Sequence, residues 1–359
     1  MGTAHYMITL VIPSHNNLAY LKLAYTSLRK AGPNIPLIIY DDGSTDGTHE
    51  WLASLTDTHL TWERFDKRIG HTVLYDRGFR EATTEYIGIV HADMVVAPNF
   101  FDLLLPRLSE SHVVSARCIE PPLHGEGLEK VVKNFGMTAD EFRYDDFAKF
   151  ATSQATAETL PALFAPWFIN KKHYFDKVGG HDIQFAPYGW EDADIFIRMM
   201  RAGFTPVQYK DMLVYHFTQR GHKWNNGQVG NYHTDYQLQM HMCRNRFIQK
   251  WGTMIWKDEQ HTPVSIPPYI KNINITNYRT GHQYEVFNLF FDNVIADNYL
   301  IKTNNKTNPN YTFHLDYSKK YDPASLQEFI MKLPFIVDEY EEGSYDYNGL
   351  LLAIHHKTV

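Results

Sequence analysis

The fold is most readily inferred from the stretch YDDGSTDGT at residues 40–48. It follows an apolar run, Leu-Ile-Ile at 37–39, which is typical of a buried strand. Two carboxylates, Asp41 and Asp42, therefore stand where that strand ends, and the Gly, Ser and Thr that follow suit a tight turn into a helix. Ligands of open α/β sheets bind outside the carboxyl ends of the strands. The turn is thus either part of a binding site or a capped strand-to-helix connection.

Comparable strands lie on both sides of this stretch. Upstream, the apolar run at 8–12 ends in PSHNN at 13–17, and downstream the run at 86–90 ends in HAD at 91–93. Strand and helix patterns alternate from about residue 7 to 116. This alternation predicts an α/β fold with a doubly wound, mostly parallel sheet.

Two further motifs follow, GWEDAD at 189–194 and VYHF at 214–217. In this order and spacing, the whole set of motifs resembles the inverting, nucleotide-sugar-dependent glycosyltransferases of family two, which have the GT-A fold. The resemblance covers about the first two-thirds of the chain. It implies a GT-A domain over residues 1–250, followed by a Pro-punctuated linker at 251–268. Residues 269–359 are predicted to form a small α+β accessory domain that either recognises an acceptor or mediates self-association.

The resemblance assigns a set of residues to the nucleotide-sugar donor, UDP-sugar being the expected one. Asp42 matches the carboxylate that contacts the base, whereas Asp41 either assists or is structural. The usual Arg-Asn pair of the nucleotide-covering segment is replaced by Tyr75-Asp76. The residues assigned to the donor are Pro13, His15, Asp41, Asp42, Arg68, Gly70, His91, Ala92, Trp190, Arg220 and His222.

The family's Asp-x-Asp motif, which serves the metal bound to the donor diphosphate, reads His91-Ala92-Asp93 here. Asp93 matches the metal-binding Asp, and His91 replaces the other one. His216 is the second expected ligand, the alternative being a structural, half-buried histidine. The expected ion is Mn²⁺ or Mg²⁺, and histidine ligation favours Mn²⁺.

The resemblance makes Asp192 the catalytic base and Glu191 a binder of acceptor hydroxyls, with Trp190 as a sugar platform. Both carboxylates head a predicted helix, whose N-terminal dipole favours negative charge, so the alternative is that they are plain first-turn helix residues. The loop at 218–224 is interpreted as a lid that brings Arg220 and His222 to the diphosphate, or else as a surface loop.

The amino-acid composition limits which acceptors and which cellular compartment we expect for this protein. The chain has 359 residues, a formal net charge of −7 and two cysteines. It lacks the basic excess that is usual in phosphate-backbone binders, which disfavours DNA as the acceptor and leaves a glycan or another hydroxyl-bearing molecule. Two cysteines are too few for a disulfide framework. We find no leader and no apolar run of about 20 residues, which predicts a cytoplasmic protein without a membrane span.

The leading hypothesis is an inverting, metal-dependent glycosyltransferase that moves a sugar from a nucleotide-sugar to an acceptor hydroxyl. The alternative is a nucleotide- or glycan-binding module of the same fold without catalysis, suggested by His91 and by the departure at Tyr75-Asp76. A nucleotidyltransferase is a third possibility. It is disfavoured because SHNN at 14–17 is not a glycine-rich, basic phosphate loop.

Overall fold

The computed structural model describes residues 7–218, 234–277, 287–297, 299–304, 306–347 and 350–355. The chain divides into two compact units, Met1–Met240 with Lys257–Pro263, and His241–Trp256 with Val264–Val359. This division differs from the predicted domain bounds, because one boundary falls inside a long helix, after Met240, and the other two fall within the predicted linker, where Lys257–Pro263 belongs to the first unit.

The first unit alternates strands and helices. Its strands are β1 (Ile8–Ser14), β2 (Leu37–Asp42), β3 (Leu60–Phe65), β4 (Tyr86–Ile89), β5 (Met94–Val96), β6 (His112–Glu120), β7 (Lys130–Val132), β8 (Thr159–Leu160), β9 (Trp167–Asn170) and β10 (Thr205–His216). Its helices are α1 (Leu18–Ala31), α2 (Thr48–Ala53), α3 (His71–Glu81), α4 (Phe100–Leu104), α5 (Tyr144–Ser153), α6 (Lys171–His173), α7 (Glu191–Arg201) and the start of α8 (Thr234–Trp251). Short helical turns lie at Leu105–Arg107, Tyr174–Val178 and Ile183–Phe185.

The strands of this unit form a ten-stranded sheet with the main order β3-β2-β1-β4-β9-β6-β10-β5. Strands β3, β2, β1 and β4 are parallel, as are β6 and β10. Strand β9 runs antiparallel to both β4 and β6, and β5 runs antiparallel to β10. The predicted α/β class with a mostly parallel sheet is confirmed.

The centre of the sheet is its most buried part, which explains why its strands are nearly continuous apolar runs. Leu10, Val11 and Ile12 have no exposed surface. Helix α3 packs against this strand through Gly78, where an added Cβ would lie 2.7 Å from a methyl group of Val11. A side chain at that position would push α3 away from the sheet. The close approach holds the N-terminus of α3 near the carboxyl ends of β1 and β2.

The second unit contains strands β11 (Lys271–Thr276), β12 (Asn293–Ala296), β13 (Tyr299–Lys302), β14 (Tyr311–Asp316), β15 (Gly343–Tyr347) and β16 (Leu350–Ile354) with helices α9 (Phe287–Phe290) and α10 (Pro323–Glu339). Its mixed sheet has the order β13-β12-β11-β14-β16-β15. Ile273, Phe313 and Leu333 are fully buried in its core. The predicted C-terminal α+β region is therefore confirmed. Among the described residues, no helix combines the length and apolar character needed to cross a bilayer.

Candidate active site

A cavity of about 300 Å³ opens at the carboxyl ends of the central strands. This is the edge of the sheet at which α/β proteins bind ligands. It is lined by Pro13, Ser14, His15, Asn17, Asp42, Arg68, His71, Tyr75, His91, Ala92, Asp93, Phe164, Tyr188, Gly189, Trp190, Glu191, Asp192, His216, Tyr236 and Met240. Most residues predicted for the site therefore share one cavity, although they come from distant parts of the sequence.

The turns that follow β1 and β2 are held together by hydrogen bonds. The amide of Asn16 donates to Oγ of Ser44 at 3.0 Å, and the amide of Thr45 donates to Oδ1 of Asn16 at 2.8 Å. Nδ1 of His15 donates to the backbone carbonyl of Asp42 at 2.7 Å. The His15 ring is thus fixed in the cavity wall by the end of β2, which carries Asp42.

The carboxylate of Asp42 lies in the cavity wall and also organises the segment before α3. It accepts hydrogen bonds from the amides of Ile69 at 2.6 Å and Gly70 at 2.9 Å. Gly70 has a φ of 101°, and an added Cβ would lie 2.3 Å from Cα of Pro187. Only glycine fits this crowded, positive-φ position without strain.

Two of the predicted donor residues, Asp41 and Gly70, are not among the residues that line the cavity. Successive strand residues point to opposite faces, so Asp41 turns away from Asp42. It is fully buried and accepts a hydrogen bond from the amide of Ser44 at 2.9 Å. Gly70 contributes its amide to Asp42. The structural alternative for Asp41 agrees with this geometry. Arg220 and His222 lie outside the described residues.

Three side chains in the cavity form a candidate metal centre. His91, Asp93 and His216 each offer a donor atom, and these atoms all lie within 4.8 Å of one another. Nε2 of His216 lies 3.5 Å from Oδ1 of Asp93. Two imidazoles and a carboxylate are a donor set suited to Mn²⁺ or another first-row divalent cation, so the residues fit the expected ion.

Strand pairing explains why His216 reaches Asp93. Strand β5 runs antiparallel to the end of β10, which places His216 opposite Met94. The amide of Phe217 also donates to the carbonyl of Asp93 at 3.1 Å. The last residue of β10 is thereby held beside the Asp93 side chain, 123 positions earlier in the sequence.

Glu120, which sequence reasoning missed, lies behind His216. Its Oε1 accepts a hydrogen bond from Nδ1 of His216 at 3.0 Å, and its Oε2 lies 2.9 Å from Nζ of Lys130. Burial raises the pKa of Glu120, but His216 and Lys130 outweigh it and lower the pKa to about 2. A carboxylate on Nδ1 orients the imidazole and would let Nε2 ligate a metal, a common arrangement around metal-bound histidines.

The corner before α7 carries the carboxylates predicted for catalysis. Trp190 has a φ of 64°, and Asp192 lies half-buried in the cavity wall. Glu191 is 8% exposed, and its Oε1 lies 2.7 Å from Nε2 of His71. Its Oε2 accepts the amide hydrogen of Gly189. Burial raises the pKa of Glu191, but His71 and backbone hydrogen bonds outweigh this effect and lower the pKa to about 2.

The cavity contains further residues to which the sequence analysis gave no role. Oγ of Ser14 and Oδ1 of Asn17 are buried and have no hydrogen-bond partner among the described residues. Such atoms in a cavity wall suit a polar ligand. Tyr188 lies under the guanidinium of Arg68 at 4.6 Å and stacks on Tyr236 at 5.8 Å. The strand-end turn at 13–17 pointed to Ser14 and Asn17, whereas no sequence motif marked the aromatic residues.

Comparison of the sequence with known protein families identifies a family for the part of the chain that carries much of this cavity. Residues 9–179 match the family model described as glycosyl transferase family 2. The chain therefore carries a glycosyl transferase family 2 domain over these residues, just under half of its length. Together with the sheet order, this match confirms the GT-A type of α/β fold.

Two curated proteins are similar to parts of this chain. Uncharacterized protein y4gI of Sinorhizobium fredii is 22% identical over 229 residues, which are 60% of this chain and 25% of that protein. Glycosyltransferase GlyG of Streptococcus pneumoniae is 29% identical over 107 residues, 29% of this chain and 36% of that protein. The matched segments thus span about a quarter and about a third of these relatives.

Solved structures with partial similarity include the mannosyltransferase PcManGT from Pyrobaculum calidifontis in complex with GDP-Man and Mn²⁺. It has a TM-score of 0.42 and 17% identity over 60% of this chain and 57% of that chain. Residues 1–349 of TarS from S. aureus in complex with UDP-GlcNAc give a TM-score of 0.46 and 13% identity, covering 71% of this chain and 69% of that chain.

Glu120→Gln is expected to weaken Mn²⁺ binding by about 10–100-fold, because an outer carboxylate orients the ligating imidazole. Isothermal titration with Mn²⁺ measures this loss. Lys130→Met is the matched control, since it removes the other ion-pair partner of Glu120 and retains the bond to His216. Equal Mn²⁺ affinity in Glu120→Gln and the wild type would contradict this role.

The Glu191 ion pair should make stability depend on pH. Its pKa is lowered from 4.5 to about 2 in the folded state. Its stabilisation is therefore complete above pH 4.5 and declines as the pH falls towards 2. The wild type should exceed Glu191→Gln by on the order of 3 kcal/mol in unfolding free energy at pH 7. Urea unfolding at pH 7 and pH 3 should show this difference shrinking by about half, and a constant difference would contradict the ion pair.

Proposed function

We propose that this protein is an inverting, metal-dependent glycosyltransferase that moves a sugar from a nucleotide-sugar, with UDP-sugar as the expected donor, to an acceptor hydroxyl. The observation that carries the proposal is the shared cavity. It joins a divalent-metal donor set, His91, Asp93 and His216, with a carboxylate at a helix N-terminus, Asp192. The match of residues 9–179 to glycosyl transferase family 2 supports the same reaction class.

In this proposal, the turns after β1 and β2 hold the nucleoside. Asp42 and Arg68 offer an acceptor and a donor to the base, and His15 with Pro13 borders the base and ribose. The unpaired Oγ of Ser14 and Oδ1 of Asn17 gain polar partners when the nucleotide is bound. Asp93 and His216, with His91 beside them, would hold Mn²⁺ or Mg²⁺, and the ion would offset the negative charge of the diphosphate leaving group.

Asp192 acts as the general base at the other side of the cavity. Its carboxylate accepts the proton of the acceptor hydroxyl while that oxygen forms a bond to the anomeric carbon of the donor sugar. The bond from that carbon to the diphosphate oxygen breaks at the same time, and its electron pair leaves with the diphosphate. Because the hydroxyl oxygen attacks the face opposite the leaving group, the configuration inverts. Asp192 lies in the first turn of α7, whose dipole stabilises the ionised carboxylate before proton transfer. Trp190 offers an indole face to a sugar ring.

A panel of nucleotide-sugars with Mn²⁺ tests the proposal in two steps. Thermal shift identifies the donor, because a ligand that binds the folded state raises the melting temperature. The selected donor is then incubated with Mn²⁺ and with water or mixed saccharides as acceptors, and release of nucleoside diphosphate is measured. Binding without any release would favour the non-catalytic binding module. A protein that binds none of the nucleotide-sugars would contradict both functions.

A further inference from the structure

The contact between His71 and Glu191 joins the N-termini of two helices. His71 is the first residue of α3 and Glu191 is the first residue of α7, 120 positions later. Nε2 of His71 and Oε1 of Glu191 are 2.7 Å apart, and their side chains are 24% and 9% exposed. A carboxylate with a pKa of about 2 only accepts hydrogen bonds, so Nε2 of His71 is the donor.

Both oxygens of Glu191 are already engaged inside the protein. Oε1 binds His71, and Oε2 accepts the amide of Gly189, two residues earlier. The carboxylate therefore closes a loop around Trp190, whose φ of 64° is uncommon for a residue with a side chain. Asp192 follows directly. This closed corner sets the direction in which Asp192 enters the cavity.

The same contact reaches the donor side of the cavity. Asp42 holds the amides of Ile69 and Gly70, and His71 is the next residue. The ring of His71 also packs against Tyr75 at 5.5 Å and Tyr188 at 6.3 Å. Hydrogen bonds and one stretch of backbone thus connect Asp42, the last residue of β2, through the start of α3 to the corner that carries Asp192.

We propose that His71 is a positioning residue that acts through Glu191 to hold Asp192 in place for proton transfer. The proposal rests on the function proposed above for this cavity. It gives Glu191 a task in addition to the one expected from its motif, because the carboxylate that is bonded to His71 and Gly189 orients its neighbours.

Two substitutions of His71 separate its hydrogen bond from its ring packing. His71→Phe keeps a ring against Tyr75 and Tyr188 but has no N–H for Glu191. His71→Gln loses the ring and can still donate to Glu191 through its amide. A positioning role predicts that the glutamine variant is the more active, whereas a pure packing role predicts that the phenylalanine variant is.

The test measures transfer, donor binding and melting temperature for both variants. His71→Phe should lower kcat by about 10²-fold, the cost of a misplacement near 1 Å. Its KM for the donor should stay within about threefold of the wild type, because the base acts on the acceptor. His71→Gln should recover most of the lost kcat. The double variant His71→Phe/Glu191→Gln should be no slower than the slower single variant, since the two substitutions remove the same contact.

Crystal structures of the wild type and His71→Phe provide a readout that does not depend on activity. The Asp192 carboxylate should move by more than about 0.5 Å, the tolerance of a productive site. An unmoved Asp192, or a kcat in His71→Phe equal to that of the wild type, would overturn the positioning role. A wild type without nucleotide-sugar turnover would instead refute the proposed function, and the crystallographic comparison would still decide whether His71 positions Asp192.

Discussion

Asp192→Asn is expected to reduce sugar transfer by about 10²–10⁴-fold, the usual contribution of a general base. The substitution keeps the size of the side chain and removes the carboxylate that accepts the acceptor proton. Donor affinity should be nearly unchanged, because the donor residues and the candidate metal ligands lie on other elements of the cavity. Steady-state turnover and calorimetric titration of the nucleotide-sugar with Mn²⁺ measure the two quantities.

Asp194→Asn is the matched control for this substitution. Asp194 lies on the same helix, is fully buried and forms an ion pair with Arg198 at 2.9 Å, but does not line the cavity. Its replacement should lower the melting temperature while folded protein keeps near-normal turnover. If Asp192 were only a first-turn helix residue, its variant would show the same pattern as the control. Full turnover in Asp192→Asn would overturn the proposed mechanism.

Asp93→Asn is expected to weaken Mn²⁺ binding by more than about 10²-fold, beyond the loss typical of outer-shell residues. The neutral amide is a poorer ligand and removes the one negative charge among the three candidate donors. Binding of nucleoside diphosphate should then lose its dependence on Mn²⁺. Titration of Mn²⁺ alone and of UDP with and without Mn²⁺ provides the measurement.

Asp102→Asn controls for the loss of a negative charge, since Asp102 is exposed on α4 and lies outside the cavity. It should bind Mn²⁺ and UDP like the wild type. His216→Ala should resemble Asp93→Asn, because both residues offer donor atoms to the same centre. Unchanged Mn²⁺-dependent UDP binding in Asp93→Asn would show that the metal assignment is wrong.

The amino-acid sequence by itself determined the class of the fold and the edge of the sheet where the site lies. Apolar runs at 8–12, 37–39 and 86–90 became the central parallel strands, because a strand buried on both faces needs an almost continuous apolar sequence. The polar residues after those runs consequently collect at one edge of the sheet. Asp42, Asp93 and Asp192 all line the cavity there, and their chemical roles stay predictions.

Only the tertiary structure decided which side chains touch. Strand β5 has three residues, too few for a recognisable pattern, yet its antiparallel register with β10 places His216 opposite Met94 and beside Asp93. Glu120 reaches His216 from β6, and His71 reaches Glu191 across 120 positions. The register of the strands and the packing of the helices determine these contacts, and both depend on the assembly of the whole sheet. Neighbouring residues in the sequence carry no signal for them, whereas local apolar periodicity is enough to specify the strands.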